Sequence, residues 1–183
     1  MENLSCKATI RRFMRQRRDQ LTRSRRSEAS HEAFHHLKQN AEGKSAVLSY
    51  APMQSELCLG LLNQWLAKND CLVLPRVDDS RLRLFRVRDL ETELCISSWG
   101  IKEPHPEVCE EIEIDFIDFA LIPAVAFDQD FHRLGYGRGF YDRLLSLCKP
   151  GTLSMGVGFH EQLFSPKLPT ENHDIPLSHV ALF

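Results

Sequence analysis

Phe119-Ala-Leu-Ile-Pro-Ala-Val-Ala-Phe127, followed by Arg133-Leu-Gly-Tyr-Gly-Arg-Gly-Phe-Tyr-Asp-Arg143, is the stretch on which the fold turns. The first segment is a continuous apolar run and reads as a buried strand. The second sets glycines at 135, 137 and 139 between basic residues. Apolar residues at 140, 144, 145, 147 and 148, ahead of Pro150, predict a short helix from Phe140 to Cys148. Glycines allow positive φ and close approach, so successive N–H groups can converge on an anion. A following helix N-terminus adds its partial positive charge. Arg133 and Arg138 supply full charges, and Asp142 is a hard oxygen donor suited to the Mg²⁺ that travels with a polyphosphate. The loop therefore reads as a nucleotide phosphate site, against the plainer alternative of a flexible turn. It is neither a Walker A loop, since no Gly-Lys-Ser/Thr occurs, nor a dinucleotide fingerprint, since Phe140 stands where a glycine is needed. Residues 128–134 also separate the strand from the glycines.

Outward from this unit, short apolar runs alternate with helical patterns. Ile10, Phe13, Met14 and Leu21 fit one face of a helix from about Ser5 to Leu21. Ala29, Ala33, Phe34 and Leu37 predict a second helix ending near Gly43. Residues 46–50 look like a strand. Ser55 is placed to cap a helix carrying Leu57, Leu61, Leu62 and Trp65. Residues 71–74 form another strand before Pro75-Arg76, and Leu82, Leu84 and Val87 suggest an edge strand or hairpin. A turn at 100–104 and an acidic connector at 107–118 lead to the buried strand. Strands at 152–159 and 179–183 complete the chain. The pattern predicts a single α/β domain over residues 1–183, with a mostly parallel sheet flanked by helices.

A chain of 183 residues is long enough to bury a core, and its 43% hydrophobic and 26% charged content is ordinary for a soluble protein. Its six cysteines lack CxxC or metal-finger spacing and read as thiols in a reducing compartment. No apolar run reaches membrane-spanning length, and there is no apolar signal core, so cytoplasm is expected. Net charge is −2, yet residues 1–26 hold nine Lys/Arg against two acids. This basic head admits an RNA-binding arm, a targeting peptide or a solvated helix. His31-Glu-Ala-Phe-His35 matches the HExxH pattern of zinc hydrolases, but its helix is polar, its apolar stripe points elsewhere and a third ligand is not evident.

With these motifs in order, the sequence resembles the 5-formyltetrahydrofolate cyclo-ligase family, also called methenyltetrahydrofolate synthetases. The resemblance rests on Lys7-x-x-x-Arg11, Tyr50-Ala-Pro-Met-Gln-Ser-Glu56, Leu74-Pro-Arg76, Gly100-Ile-Lys-Glu-Pro104 and Phe127-Asp128. It continues through Arg133-Leu-Gly-Tyr-Gly-Arg-Gly-Phe-Tyr-Asp142, Gly158-Phe-His-Glu-Gln162 and Leu168-Pro169 with His173-Asp174. Phe140 stands where many members carry tyrosine. The resemblance implies a Rossmann-like sheet and ATP-dependent closure of 5-formyltetrahydrofolate to the 5,10-methenyl form. A folate- or nucleotide-binding relative without turnover is the alternative. It implies Lys7, Arg11, Arg133, Gly135, Tyr136, Gly137, Arg138, Gly139, Phe140 and Tyr141 on ATP. Glu56, Tyr136, Arg138, Phe140 and Tyr141 would meet the folate, with Arg138 and Tyr141 as the catalytic pair. Asp142 and Asp174 would hold Mg²⁺. The implied partners are the folate and ATP, with no nucleic acid or membrane, and the protein acting as a monomer.

Overall fold

The computed structural model describes residues 6–97 and 100–183. The elements run α1 (Lys7–Asp19), α2 (Arg23–Ala41), β1 (Val47–Leu48), α3 (Gly60–Lys68), β2 (Leu72–Asp78) and β3 (Arg81–Arg86). There follow β4 (Leu94–Ile96), β5 (Lys102–Pro104), β6 (Glu110–Glu111), β7 (Phe119–Pro123), β8 (Ala126–Phe127) and β9 (Arg133–Leu134). The chain closes with α4 (Phe140–Ser146), β10 (Leu153–Gly158) and β11 (His179–Leu182).

Seven strands form one sheet in the order β11-β10-β7-β1-β2-β3-β6. The first five are parallel, and β3 and β6 extend the far edge antiparallel. Side chains alternate between faces with the strand period of two. Val47, Leu72, Leu74, Phe119, Leu121 and Met155 join the core with Ala29, Ala33, Leu37 and Ala41 of α2 and Leu62 and Leu66 of α3. Leu48, Val73, Ala120 and Ile122 point the other way, onto Leu144 and Leu145 of α4. Both faces are thus covered, which is why these strands read as unbroken apolar runs. Ala29, Ala33, Leu37 and Ala41 recur every four residues and form the buried stripe of α2, while the Thr22 hydroxyl caps the helix by accepting from Arg25 N at 3.2 Å.

α1 stands apart. Its Ile10 and Met14 form a third cluster with Val125, Ala126, Leu134, Phe164 and Leu168. Phe13, expected on the apolar face, is 40% exposed, and the expected start at Ser5 lies outside the described residues. Leu21 falls beyond the end of the helix at Asp19.

Other expectations are corrected. The single strand over 119–127 is two: β7 ends at Pro123, and β8 leaves the sheet to pair antiparallel with β9. A proline lacks the N–H needed to continue a ladder, so the sheet strand stops there. β2 runs through Pro75, which sits opposite Leu84, beyond the point where β1 pairs with Val73 and Leu48 has ended. The turn at 100–104 is half of a hairpin with β4. Ser55 does not cap α3, which starts at Gly60 with Leu59 at the cap position. Among the described residues no helix is long and apolar enough to cross a membrane. The six cysteines are free thiols.

Candidate active site

Strand order reverses between β1 and β7: β2 and β3 lie to one side, β10 and β11 to the other. Chain segments leaving neighbouring carboxyl ends diverge at such a point and open a crevice. A cleft of about 340 Å³ lies there, lined by Tyr50 and Glu56 after β1, Pro75 and Val77 of β2, Pro123 of β7 and the loop 133–142. The β4–β5 hairpin adds Lys102 and Glu103.

The glycine loop takes its shape from backbone demands. Gly137 and Gly139 adopt φ of +102° and +64°, a region L side chains rarely enter. Gly135 has no such constraint; its carbonyl accepts from Arg11 Nε at 2.8 Å. The Arg143 guanidinium ties the loop to the β2–β3 turn by donating from Nη2 to Arg138 O at 3.0 Å and to Ser80 O at 2.6 Å.

Of the residues singled out in the sequence, Glu56, Arg133, Gly135, Tyr136, Arg138, Gly139, Phe140, Tyr141 and Asp142 surround this one cleft. Lys7, Arg11, Gly137 and Asp174 do not line it. Gly137 borders an adjoining hollow that shares Arg138, Gly139 and Asp142 and adds Arg143, Asn172 and His173. Arg11 borders a third hollow along α1, with Arg12, Arg15 and Tyr136. Lys7 ties α1 to the tail segment, with Nζ 2.7 Å from Asp174 and 2.9 Å from Glu171. Burial is the largest single influence and works to raise the Asp174 pKa, but the Lys7 bond and charge, the Glu171 amide and His173 together hold the carboxyl below its usual range.

Glu56 is 8% exposed. Its Oε2 accepts from Met53 N at 2.8 Å, and its Oε1 accepts from the Tyr136 hydroxyl. Burial pushes its pKa up against the opposing pull of Tyr136, Met53, Arg18 and Arg15. The Tyr136 and Tyr141 phenols are raised by burial, with Glu56 adding to the effect, so both remain protonated donors. The Arg133 side chain is 4% exposed; its guanidinium donates to Ile175 O at 2.7 Å and to Asp142. Burial lowers the Arg133 pKa from a very high starting value.

Each expected metal carboxylate therefore faces a cation of its own chain, Asp142 on Arg133 and Asp174 on Lys7. Among the described residues no three His, Cys, Asp or Glu side chains are grouped to hold a metal. Asp142 and Asp174 are hard oxygen donors, the type of which Mg²⁺ takes one or two beside water and phosphate. His31 and His35 are exposed on α2, with His31 Nδ1 2.8 Å from Ser27 O.

Two residues escaped the sequence reading. Arg18 is 2% exposed and donates from Nε to Ser55 Oγ and from Nη1 to Tyr136 Oη, both at 3.0 Å. Its signal was position: Ile10, Met14 and Arg18 recur every four residues on the buried face of α1. Glu103, 4% exposed on β5, accepts from Val77 N at 3.2 Å. The quoted Gly-Ile-Lys-Glu-Pro segment contained it without revealing that it would face the cleft.

A doubly wound α/β sheet with an apolar cleft at its switch point, bordered by a cationic glycine loop, defines a protein of the class that carries its ligand site at the carboxyl ends of the strands. The chain belongs to the 5-formyltetrahydrofolate cyclo-ligase family, whose profile matches residues 3–182. It is 36% identical over 92 residues to a mouse 5-formyltetrahydrofolate cyclo-ligase, covering 46% of this chain and 44% of the relative. It is 37% identical over 91 residues to the Escherichia coli K12 protein of that name, covering 49% and 50%. These matches span about half the length of the curated relatives. The solution structure of Aquifex aeolicus 5,10-methenyltetrahydrofolate synthetase superposes with a TM-score of 0.82 at 32% identity, covering 95% of this chain and 88% of that one. A Mycoplasma pneumoniae synthetase structure, at 20% identity and a TM-score of 0.77, shares the fold.

Proposed function

We propose that the protein converts 5-formyltetrahydrofolate and ATP into 5,10-methenyltetrahydrofolate, ADP and phosphate, acting as one domain and as a monomer. An N-formyl group is a poor electrophile, because attack must break amide resonance, and its oxygen is a poor leaving group. Transfer of the γ-phosphoryl group to the formyl oxygen forms an O–P bond, releases ADP and leaves an iminium-like carbon. N10 of the same folate then attacks that carbon. The C–O bond breaks with its electrons going to phosphate, and loss of the N10 proton gives the methenyl cation. A protein assisting such a transfer has mainly to position the partners and balance charge.

The observation that carries the reading is the juxtaposition of Glu56, Tyr136, Phe140 and Tyr141 with the Arg133–Asp142 loop around one cleft. The buried carboxylate suits the N–H groups of a pterin, and the aromatic rings suit its faces. Arg138 borders both the cleft and the adjoining hollow, where it can neutralise charge on the oxygen being phosphorylated. Tyr141, held as a phenol, can donate to the same oxygen. The loop N–H groups from Gly135 to Gly139, with Arg133, Arg11 and Lys7, are assigned to ATP. Asp142, with Asp174 as a second carboxylate, is assigned to Mg²⁺, which would supply neutralising charge between the β- and γ-phosphates. The test is optical detection of the methenyl product. It should form only when the folate, ATP and Mg²⁺ are all present, with equal release of ADP; product formation at the same rate without ATP would overturn the reaction.

A further inference from the structure

The C-terminal turn of α1 reaches the cleft through a chain of side chains that the proposed reaction does not itself require. Arg18 is almost fully buried, although it carries a full charge, and its guanidinium is divided between two acceptors. Nε bonds Ser55 Oγ at 3.0 Å, and the Ser55 hydroxyl passes its own hydrogen to Asp19. Nη1 bonds Tyr136 Oη at 3.0 Å. A phenol oxygen that accepts from a guanidinium has its hydrogen free to point away, and here that hydrogen goes to Glu56 Oε1. The second Glu56 oxygen is held by Met53 N at 2.8 Å. Burying an arginine in such a place is costly unless its bonds serve the fold or the site.

We propose that Arg18 is a positioning residue for the reaction: it fixes the direction of the Tyr136 hydroxyl, so that Tyr136 donates to Glu56 and holds it as a charged acceptor facing the folate. The inference rests on Glu56 facing the folate, as read above. Electrostatics agree. From α1, Arg15 and Arg18 both favour the charged carboxylate, with the Arg15 guanidinium 4.9 Å from the Tyr136 ring centroid. From the loop and α4 come the phenols of Tyr136 and Tyr141, and from the segment after β1 the phenol of Tyr50, all neutral. Asp19 lies one hydroxyl away, through Ser55. Burial alone drives Glu56 toward its proton. Without Arg18, the Tyr136 hydroxyl is free to turn, and a favourable charge is gone. Both changes raise the pH at which Glu56 loses its proton.

The experiment is a carboxyl ¹³C NMR titration of the full chain, with Glu56 assigned by Glu56→Gln, beside pH profiles of phosphate release. In Arg18→Met the Glu56 midpoint should move to higher pH, and the acid limb of kcat/KM for the folate should move with it. The folate KM at neutral pH should rise roughly tenfold, the cost of one charge-assisted bond, while the KM for ATP stays put. Arg18→Lys, which keeps the charge, should fall between. Tyr136→Phe should raise the midpoint by removing the donor directly, and it serves in place of Arg18→Met should that variant not fold. Unchanged Glu56 midpoints in the folded variants would overturn the proposal and leave Arg18 a strut of α1. Should the wild-type chain fail to turn over the folate, the reaction assigned above is wrong; the Glu56 titration still decides the role of Arg18.

Discussion

Glu56 is held between two opposed influences: burial favours the protonated form, whereas Tyr136, Met53 N and the arginines of α1 favour the charge. Burial prevails, so its pKa lies above that of an ordinary glutamate. A raised carboxyl pKa means that the charged acceptor is lost as pH falls through a higher value than usual. The kcat/KM for the folate should therefore drop on the acid side earlier than a solvated glutamate would dictate. Glu56→Gln should abolish that limb and lower kcat/KM by roughly 10- to 100-fold, the range for a hydrogen bond to a charged group; an unchanged profile would remove Glu56 from the folate. Asp142 poses a different question, because it already neutralises Arg133, whose side chain is 4% exposed. Asp142→Asn should lower the melting temperature and also raise the Mg²⁺ concentration needed for half-maximal turnover. A fall in stability alone would make Asp142 a brace for Arg133. Sequence revealed these carboxylates because they stand in short motifs. It did not reveal Arg18, whose one mark is its four-residue spacing from Ile10 and Met14, or Glu103, an acid in a hairpin that carries no local mark of burial. The packing of α1 and of the β4–β5 hairpin shows both to be buried.

Two glycines separate what an element needs for shape from what it needs for space. Gly137 sits at φ +102° in an exposed part of the loop, where an added Cβ would meet Arg11 only at 3.7 Å. Gly156 lies inside β10, where an added Cβ would come within 2.4 Å of Phe127 Cε1 and 2.7 Å of Leu177 Cδ1. Gly137→Ala should lower the melting temperature through backbone strain at positive φ, with no clash to add to it, and raise the KM for ATP about tenfold, because small displacements of aligned donors are costly. Gly156→Ala should lose stability by a different route, costing about 2 kcal/mol by overpacking, or roughly 4–8 °C for a chain of this size, with KM values preserved in the folded fraction. If Gly137→Ala bound ATP normally, the loop would not be the phosphate cradle. Element types were legible because burial on both faces writes itself as apolar runs, and α2 as small or apolar residues (Ala29, Ala33, Leu37, Ala41) every four positions. Boundaries were not. Nothing in the run 119–127 says that the sheet ends at Pro123 and that Ala126–Phe127 turns to meet Arg133–Leu134, because that pairing depends on the loop folding back.

At the scale of the molecule, part of the basic head is engaged inside the chain. α1 touches the protein through a small apolar cluster of its own and through polar ties that include Lys7 to Asp174 and Glu171, Arg11 to Gly135 O, Arg18 to Tyr136 and Ser55, and Ser55 to Asp19. Three of the nine cations of the head, Lys7, Arg11 and Arg18, thus stand against the tail and the glycine loop. The sheet order and its switch point, which place the cleft, were not readable from the sequence beyond the expectation of a mostly parallel sheet, because order is set by crossovers and not by composition. This architecture makes α1 the element most open to control by ligand. Its contacts belong largely to the third cluster and not to the two cores that sandwich the sheet. Its amides should accordingly open at lower free energy than those of β7 or β10. A nucleotide held jointly by Lys7, Arg11 and the loop would bind only the docked form of α1 and stabilise it by mass action, about 2.7 kcal/mol at a hundredfold excess over Kd. Hydrogen exchange of α1 should slow about 100-fold under those conditions, while β7 and β10 change less. Lys7→Ala should blunt the effect and raise the KM for ATP, with the KM for the folate unaltered. Equal protection throughout the chain, or none in α1, would mean that the nucleotide is held by the loop alone and that Lys7 serves only to tie the first helix to the tail.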